Sequence, residues 1–347
     1  MSGLPGLDTA RVAGWLGRHV DGSEPPFRFE LIPAGGSNLT YRVTDAGGRA
    51  WALRRPPVTG VLATAHDVDR EWRIVAALHR ASDVPVAPPA AHCADADVTG
   101  APFYVTGFVD GRILRTAEDG AALSDAAAAR ATRSLVDVQV AFHRVDPDTI
   151  GLGDLTRRRS GYVERQLHRW RTQVEQAATR DLPLLDELHG RLARTVPAER
   201  TPPGLAHGDY RFDNTVLDPE GTVRAVLDWE LCTIGDPIAD FAWSLSYWAD
   251  RGDPVPFLAS APTLAPAFPR RAAVADQYGR AMGVGALDEL PWLTVFSYWK
   301  MACIVEGVYA RRRAGAQSGA ASSDLASIAA RVELLLAHAA ELAAGVC

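Results

Sequence analysis

Residues 205–230 read LAHGDYRFDNTVLDPEGTVRAVLDWE, and this stretch constrains the fold more than any other part of the chain. TVL and VRAVLDW are short apolar runs, and the DPEG between them places Pro and Gly where a hairpin turn wants them. Asp209 and Asn214 stand 5 positions apart, and Asp228 follows Asp209 by 19 positions at the end of the second run. A hairpin therefore returns Asp228 to the neighbourhood of the other two. The fold has to leave two carboxylates and an amide at the open end of that hairpin.

The flanks of this stretch differ in pattern. Upstream, an opening helix over about residues 8 to 20 precedes two strands, Phe27 to Ile32 and Leu39 to Thr44, joined by the turn-rich PAGGSN. DAGGR then leads to a third strand, Ala50 to Arg54. From Ala65 to Leu78, Val68, Trp72, Val75 and Leu78 recur at helical spacing, and the helix ends before the break SDVPVAPP. PFYVTGFVDG reads as a buried strand that stops at a turn. Residues 1–110 are thus a small, mainly antiparallel sheet with one packed helix. From Ser124 onward three helical stretches follow, the first with a Ser or Asp cap, and more are predicted over 236–250, 267–282, 291–313 and 322–344.

A chain of 347 residues is long enough for two lobes, here 1–110 and 111–347. Its net charge of −6 argues against a nucleic-acid partner. Cys93, Cys232, Cys303 and Cys347 are scattered, without the paired spacing of a metal knuckle or a disulfide framework. The N-terminus lacks a basic region followed by an apolar run, and no apolar window reaches membrane-spanning length. The expectation is a soluble, cytoplasmic protein with no membrane partner; its oligomeric state is left open.

Asp209, Asn214 and Asp228 together suit phosphoryl transfer. One carboxylate takes the proton of an acceptor hydroxyl, while an amide oxygen and a second carboxylate hold magnesium on nucleotide phosphates. The Asp-to-Asn interval equals that of the protein-kinase catalytic loop, with His-Gly-Asp for His-Arg-Asp and DWE where kinases carry DFG. At HGDYRFDN and LDWE, followed by GDPIADFAW, the chain resembles the aminoglycoside phosphotransferase and choline kinase superfamily over nearly its whole length. Closer in, WALRRPP, AHDVDREWRIVAALH, VPVAPP, PFYVTGFVDGRIL and FHRVD are similar to the phosphotransferase domain associated with acyl-CoA dehydrogenases and its free-standing bacterial relatives.

The resemblance implies a two-lobed protein-kinase-like fold of the α+β class, with a nucleotide-binding sheet lobe and a larger, mainly helical lobe for catalysis and substrate. It implies Mg2+-dependent transfer of the γ-phosphate of ATP or GTP to a hydroxyl of a small molecule. For the acyl-CoA-dehydrogenase branch that acceptor is a hydroxy acid or hydroxyacyl thioester ahead of an aminoglycoside. Carried over by position, Asp209 is the catalytic base, Asn214 and Asp228 are the metal ligands, and His207 and Asp240 order the loop. Glu230 fits a place near the metal and a solvent-facing place equally.

Gly35, Gly36, Ser37 and Asn38 make a turn of small residues between two strands, where backbone N–H groups can approach phosphates. A plain hairpin turn reads the same way. Under the resemblance, WALR takes the place of the kinase VAIK strand, so Arg54 stands where a lysine would pair the phosphates, with Glu71 as its partner. Arginine is not a neutral replacement for an ammonium, and Arg55 takes the role if the strand register differs by one. Phe108 and Val109, with Gly107, form the hinge whose backbone faces the adenine.

The later helices carry Phe241, Trp243, Tyr247, Trp248, Trp292, Phe296, Tyr298 and Trp299, as core residues or as cleft lining. Asp236, Asp240, Asp250, Asp253 and Glu306 are interleaved with Lys300 and Arg311 to Arg313, so no dense acidic patch awaits a polycation. A less cationic hydroxylated acceptor fits better. The alternative class is a degenerate kinase-fold nucleotide-binding or scaffold protein without turnover, motivated by Arg54 and the plain glycine turn. A metal-dependent hydrolase on His207, Asp209, Asp228 and Asp236 lacks a second histidine ligand.

Overall fold

A computed structural model describes residues 4–32, 38–58, 67–177, 179–315 and 322–346. Its first elements are helix α1 (Thr9–His19), strands β1 (Arg28–Ile32), β2 (Leu39–Thr44) and β3 (Ala50–Arg55), helix α2 (Val68–Ala81) and strands β4 (Pro89–Cys93) and β5 (Phe103–Gly107). Helices α3 (Ala117–Ala121), α4 (Asp125–His143), α5 (Tyr162–Ala177) and α6 (Pro183–Arg194) follow. Short strands β6 (Gly204–Ala206), β7 (Thr215–Leu217), β8 (Val223–Val226) and β9 (Thr233–Gly235) precede helices α7 (Pro237–Ser246), α8 (Arg271–Met282), α9 (Leu290–Arg313) and α10 (Ser322–Ala343). The class is α+β, a small antiparallel sheet and a larger helical part, as the sequence predicts. The chain divides into two compact units, one of Met1–Ile113, Pro147–Gly153 and Asn214–Cys232, the other of Leu114–Asp146, Asp154–Asp213 and Thr233–Cys347.

In the first unit, five antiparallel strands lie in the order β1-β2-β3-β5-β4. Along β3, Trp51, Leu53 and Arg55 are buried and alternate with half-buried Ala50, Ala52 and Arg54, the period of 2 that a strand imposes. Trp51 and Leu53 join Tyr41, Val43, Phe103, Val105 and the α1 residues Val12, Trp15 and Leu16 in one core. Arg54 therefore points to the other face. Strand β4 falls where the sequence suggested only a break: Pro89 opens an edge strand that pairs with β5 alone, a place where proline is tolerated. Helix α2 starts later than its apolar spacing suggests, because Asp67 caps it by accepting from Arg70 N at 2.9 Å.

The β7–β8 hairpin belongs to this first unit. Arg112 and Leu217 exchange two backbone hydrogen bonds of 2.8 Å, and Val226 N donates to Pro85 O at 2.8 Å. Gly111 is required at this approach, since a Cβ there would lie 2.4 Å from the Leu217 carbonyl oxygen.

The second unit is helical. Its core gathers Trp299, Phe296, Val295 and Leu293 of α9 against Val163 and Leu167 of α5, Leu185, Leu188 and Leu192 of α6, Ala242 and Trp243 of α7, and Leu335 and Leu336 of α10. Among the described residues no helix is long and apolar enough to cross a membrane.

Candidate active site

The first unit gathers its ionised groups around Arg54. On α2, Glu71 lies one turn from Val68 and one from Ile74 on the stripe that faces the sheet, so its carboxylate is 1% exposed. Arg54 Nε donates to Glu71 Oε2 at 2.9 Å, Arg54 Nη2 donates to Asp228 Oδ1, and Glu230 Oε2 lies 3.8 Å from that nitrogen. Arg55, on the opposite face of the strand, instead donates to the carbonyl of Gly6. The register thus gives the pair with Glu71 to Arg54.

Asp228 reaches this cluster through the hairpin. Beyond the last ladder pair, Thr215 with Val226, Leu227 N donates to Asn214 O at 2.8 Å, which keeps Asn214 beside the segment that leads into Asp228. Asp228 itself is left-handed, with φ 64° and ψ 60°, the sole described non-glycine residue with positive φ. Such a conformation costs about 1–3 kcal/mol and persists where the surroundings over-determine it. Those surroundings are the buried Trp229, whose indole donates to Val226 O at 3.2 Å, and Arg70, which donates to the carbonyls of Glu230 and Cys232. The carboxylate of Glu230 accepts from Asn38 Nδ2 at 3.3 Å, which places Glu230 beside Arg54 rather than in solvent.

Three carboxylates around one guanidinium leave surplus negative charge. Burial, with Asp228 and Glu230, outweighs Arg54 and pushes Glu71 up to about 7. Burial opposes the charge on Arg54, but the neighbouring carboxylates outweigh it and raise the guanidinium's pKa. Among the described residues no group of three or more Asp, Glu, His or Cys side chains is placed to hold a metal ion. Gly35, Gly36 and Ser37 lie outside the described residues; Asn38 is buried. Gly107 N donates to Pro88 O at 2.7 Å and Phe108 N to Ala50 O at 3.0 Å, so both amides are engaged within the first unit.

The second unit carries Asp209 on a loop whose backbone is fixed from below. Asp240 of α7, 1% exposed, accepts from His207 N at 3.2 Å, Gly208 N at 2.8 Å and His143 Nε2 at 3.1 Å. His143 Nδ1 is hydrogen-bonded to the Tyr278 hydroxyl at 2.7 Å, and that hydroxyl donates to Pro237 O at 3.1 Å. Burial would raise Asp240, but the hydrogen bonds from His143 and the loop hold it below its usual range, while burial lowers His143. Asp209 N donates to His207 Nδ1 at 3.2 Å, which ties the His207 ring to the loop backbone.

The Asp209 side chain, 26% exposed, points away from this frame towards Arg211, whose Nε lies 3.3 Å from Asp209 Oδ1 and whose Nη1 lies 2.9 Å from Asp213 Oδ2. The Tyr247 hydroxyl hydrogen-bonds to Asp209, and the Arg211 guanidinium sits 4.8 Å from the centre of the Tyr247 ring. A mainly apolar pocket lies against the same loop, lined by Leu135, Phe212, Leu245 and Trp248 together with Arg211 and Asp213.

Five of these participants have no role that the sequence alone assigns: Arg70, Tyr104 beside Glu71, His143, Arg211 and Tyr278, although all but Tyr278 fall in strings that carry the family resemblance. Arg211 was the most accessible of them, since DYRFD sets it two positions from each of two aspartates.

The model of the phosphotransferase enzyme family matches residues 28–287. Acyl-CoA dehydrogenase family member 11 of Gallus gallus is 35% identical over 306 residues, which cover 85% of this chain and 38% of that protein, so the chain spans less than half of such relatives. A candidate aminoglycoside phosphotransferase of Ralstonia eutropha JMP134 superposes with a TM-score of 0.81 at 30% identity, covering 97% of this chain and 98% of that one. The GDP complex of aminoglycoside 2'-phosphotransferase-IIIa shares the fold, with a TM-score of 0.63 at 16% identity over 95% and 99% of the two chains. The family match runs from the first residue of β1 to beyond α8, and the chain accordingly belongs to the phosphotransferase enzyme family, as a small-molecule phosphotransferase.

Proposed function

We propose that the chain is a magnesium-dependent kinase that moves the γ-phosphate of ATP or GTP to a hydroxyl of a small acyl-derived molecule, a hydroxy acid or a hydroxyacyl thioester. The observation that carries this reading is the partly exposed carboxylate of Asp209 on a loop whose amides are bonded to buried Asp240. A base presented in this way can accept the acceptor's hydroxyl proton as the oxygen attacks the γ-phosphorus. The bond from that phosphorus to its bridging oxygen breaks, and the nucleoside diphosphate leaves with the electron pair.

Asn214 and Asp228 would hold magnesium, which when bound neutralises phosphate charge. Glu71 and Glu230 hold Arg54 in place to pair with phosphate oxygens. The GDP bound by a protein of the same fold supports a nucleotide donor. Relatives named for acyl-CoA chemistry, and the apolar pocket against the catalytic loop, support an acyl-derived acceptor over an aminoglycoside.

Thermal unfolding tests the donor half of this reading. With magnesium and ATP or GTP at about a hundredfold excess over Kd, binding stabilises the native state by about 2.7 kcal/mol. The upward shift in Tm should require magnesium and should be lost in Asp228→Ala. A variant that keeps a magnesium-dependent shift removes Asp228 from the metal site. No shift with either nucleotide in the wild type leaves a scaffold without turnover.

A further inference from the structure

Lys300 lies in the middle of α9 and is 7% exposed, although burying an ammonium is costly. Its Nζ sits 3.6 Å from the centre of the Trp243 ring and 5.9 Å from that of Trp170, and it forms no salt bridge among the described residues. The Trp243 indole N–H is buried as well and has no acceptor among the described residues. An ammonium over an aromatic face recovers part of its lost hydration, but among the described residues Lys300 has no carboxylate partner and the indole N–H no acceptor. Burial lowers Lys300 to about 8, Asp240 and Asp209 act against that, and Arg169 acts with it, so the side chain is mainly cationic at pH 7.

This pair of donors is linked to the catalytic loop by direct contacts. Trp243 meets Tyr247 edge-on at 5.5 Å, Phe257 packs against both rings at 5.7 and 5.5 Å, and the Tyr247 hydroxyl bonds to Asp209. A molecule whose hydroxyl reaches Asp209 has Tyr247 beside it, and Trp243 packs edge-on behind Tyr247. Donors without acceptors at that place call for oxygen atoms rich in electrons, the opposite of what an aminoglycoside offers.

We propose that Lys300, with the Trp243 indole N–H as a second donor, is the specificity-determining residue for the acceptor and binds an anionic group on it, a carboxylate or a phosphate. This rests on the kinase reading for the identity of the molecule as acceptor. The binding itself is measured without turnover.

The test is calorimetric titration of the wild type, Lys300→Met and Lys300→Arg. The probes are the positional isomers of hydroxybutyrate against their primary amides, and glycerol phosphate against glycerol. The wild type and Lys300→Arg should prefer at least one anionic probe over its neutral counterpart, and the pair that shows the preference says whether the group is carboxylate or phosphate. Lys300→Met, which replaces a buried charge with an apolar chain of similar volume, should lose that preference by about ten- to a hundredfold. Its nucleotide-dependent thermal shift should persist as evidence of folding. An equal affinity of the wild type for anionic and neutral probes, or a preference kept by Lys300→Met, overturns the proposal. Loss of the nucleotide shift in the wild type would instead sink the kinase reading, while the anion preference stands or falls on its own titration.

Discussion

Asp209→Asn should fold, keep its magnesium-nucleotide thermal shift, and lose about a hundred- to ten-thousandfold in kcat, the range that a positioned general base supplies. The amide is nearly isosteric with the carboxylate, and the loop backbone does not depend on the side chain it replaces. His207 N and Gly208 N are held by Asp240, and Asp209 N by the His207 ring. Arg211 keeps Asp213 at 2.9 Å as a partner. What disappears is the ability to take a proton, so the loss should fall on kcat with little change in the KM for nucleotide. Steady-state kinetics with nucleotide and acceptor varied separately make the distinction. An equal loss in nucleotide affinity would show that Asp209 supports the donor site instead.

The largest loss of stability is expected from Asp240→Ala. Its carboxylate is the common acceptor of three buried donors, His143 Nε2, His207 N and Gly208 N. Removing it strands all three away from water, and removing one partner of a buried charged network costs about 3–5 kcal/mol. Urea denaturation should register that as a fall in the midpoint with an unchanged slope. Asp240→Asn, which can still accept through its amide oxygen, should lose less. Because the folded pKa of Asp240 is depressed, its contribution is fully present above the ordinary carboxylate range. It is lost as the pH falls through the folded value, a dependence that the alanine variant should not show. If Asp240→Ala unfolds at the wild-type midpoint, the bracing role is wrong.

Much of this arrangement was legible in the sequence where a local period or a short spacing carried it. The alternation of β3 and the amphipathic stripe of α2 are local, and together they bring Arg54 to Glu71 across 17 positions. Whether Arg54 or Arg55 faces the helix was not legible, because neighbours in a strand differ by one step of register and both are arginines. Strand β4 was hidden by Pro89 and the prolines before it, which weaken a strand signal without excluding an edge strand.

The brace under the Asp209 loop was half legible. Asp240 follows the loop within a recognisable string, but His143 stands 97 positions before it, and its own string, FHRVD, does not say what the histidine pairs with. Lys300 was hidden for another reason. Buried residues surround α9 on most sides, so the helix has no polar face to contrast with, and a lysine in it reads as one more surface charge.

The assignment of the β7–β8 hairpin to the first unit has a consequence for the order of events during synthesis. Residues up to Ile113 leave the ribosome long before Asn214–Cys232, yet the two segments share backbone bonds at Arg112 with Leu217 and at Pro85 with Val226. Until the hairpin emerges, the nascent sheet lacks those partners, and Glu71 and Arg54 lack Asp228 and Glu230. Contacts so distant in the chain are slow to close. A chain released early at the end of β5 would therefore present an incomplete unit to chaperones and proteases.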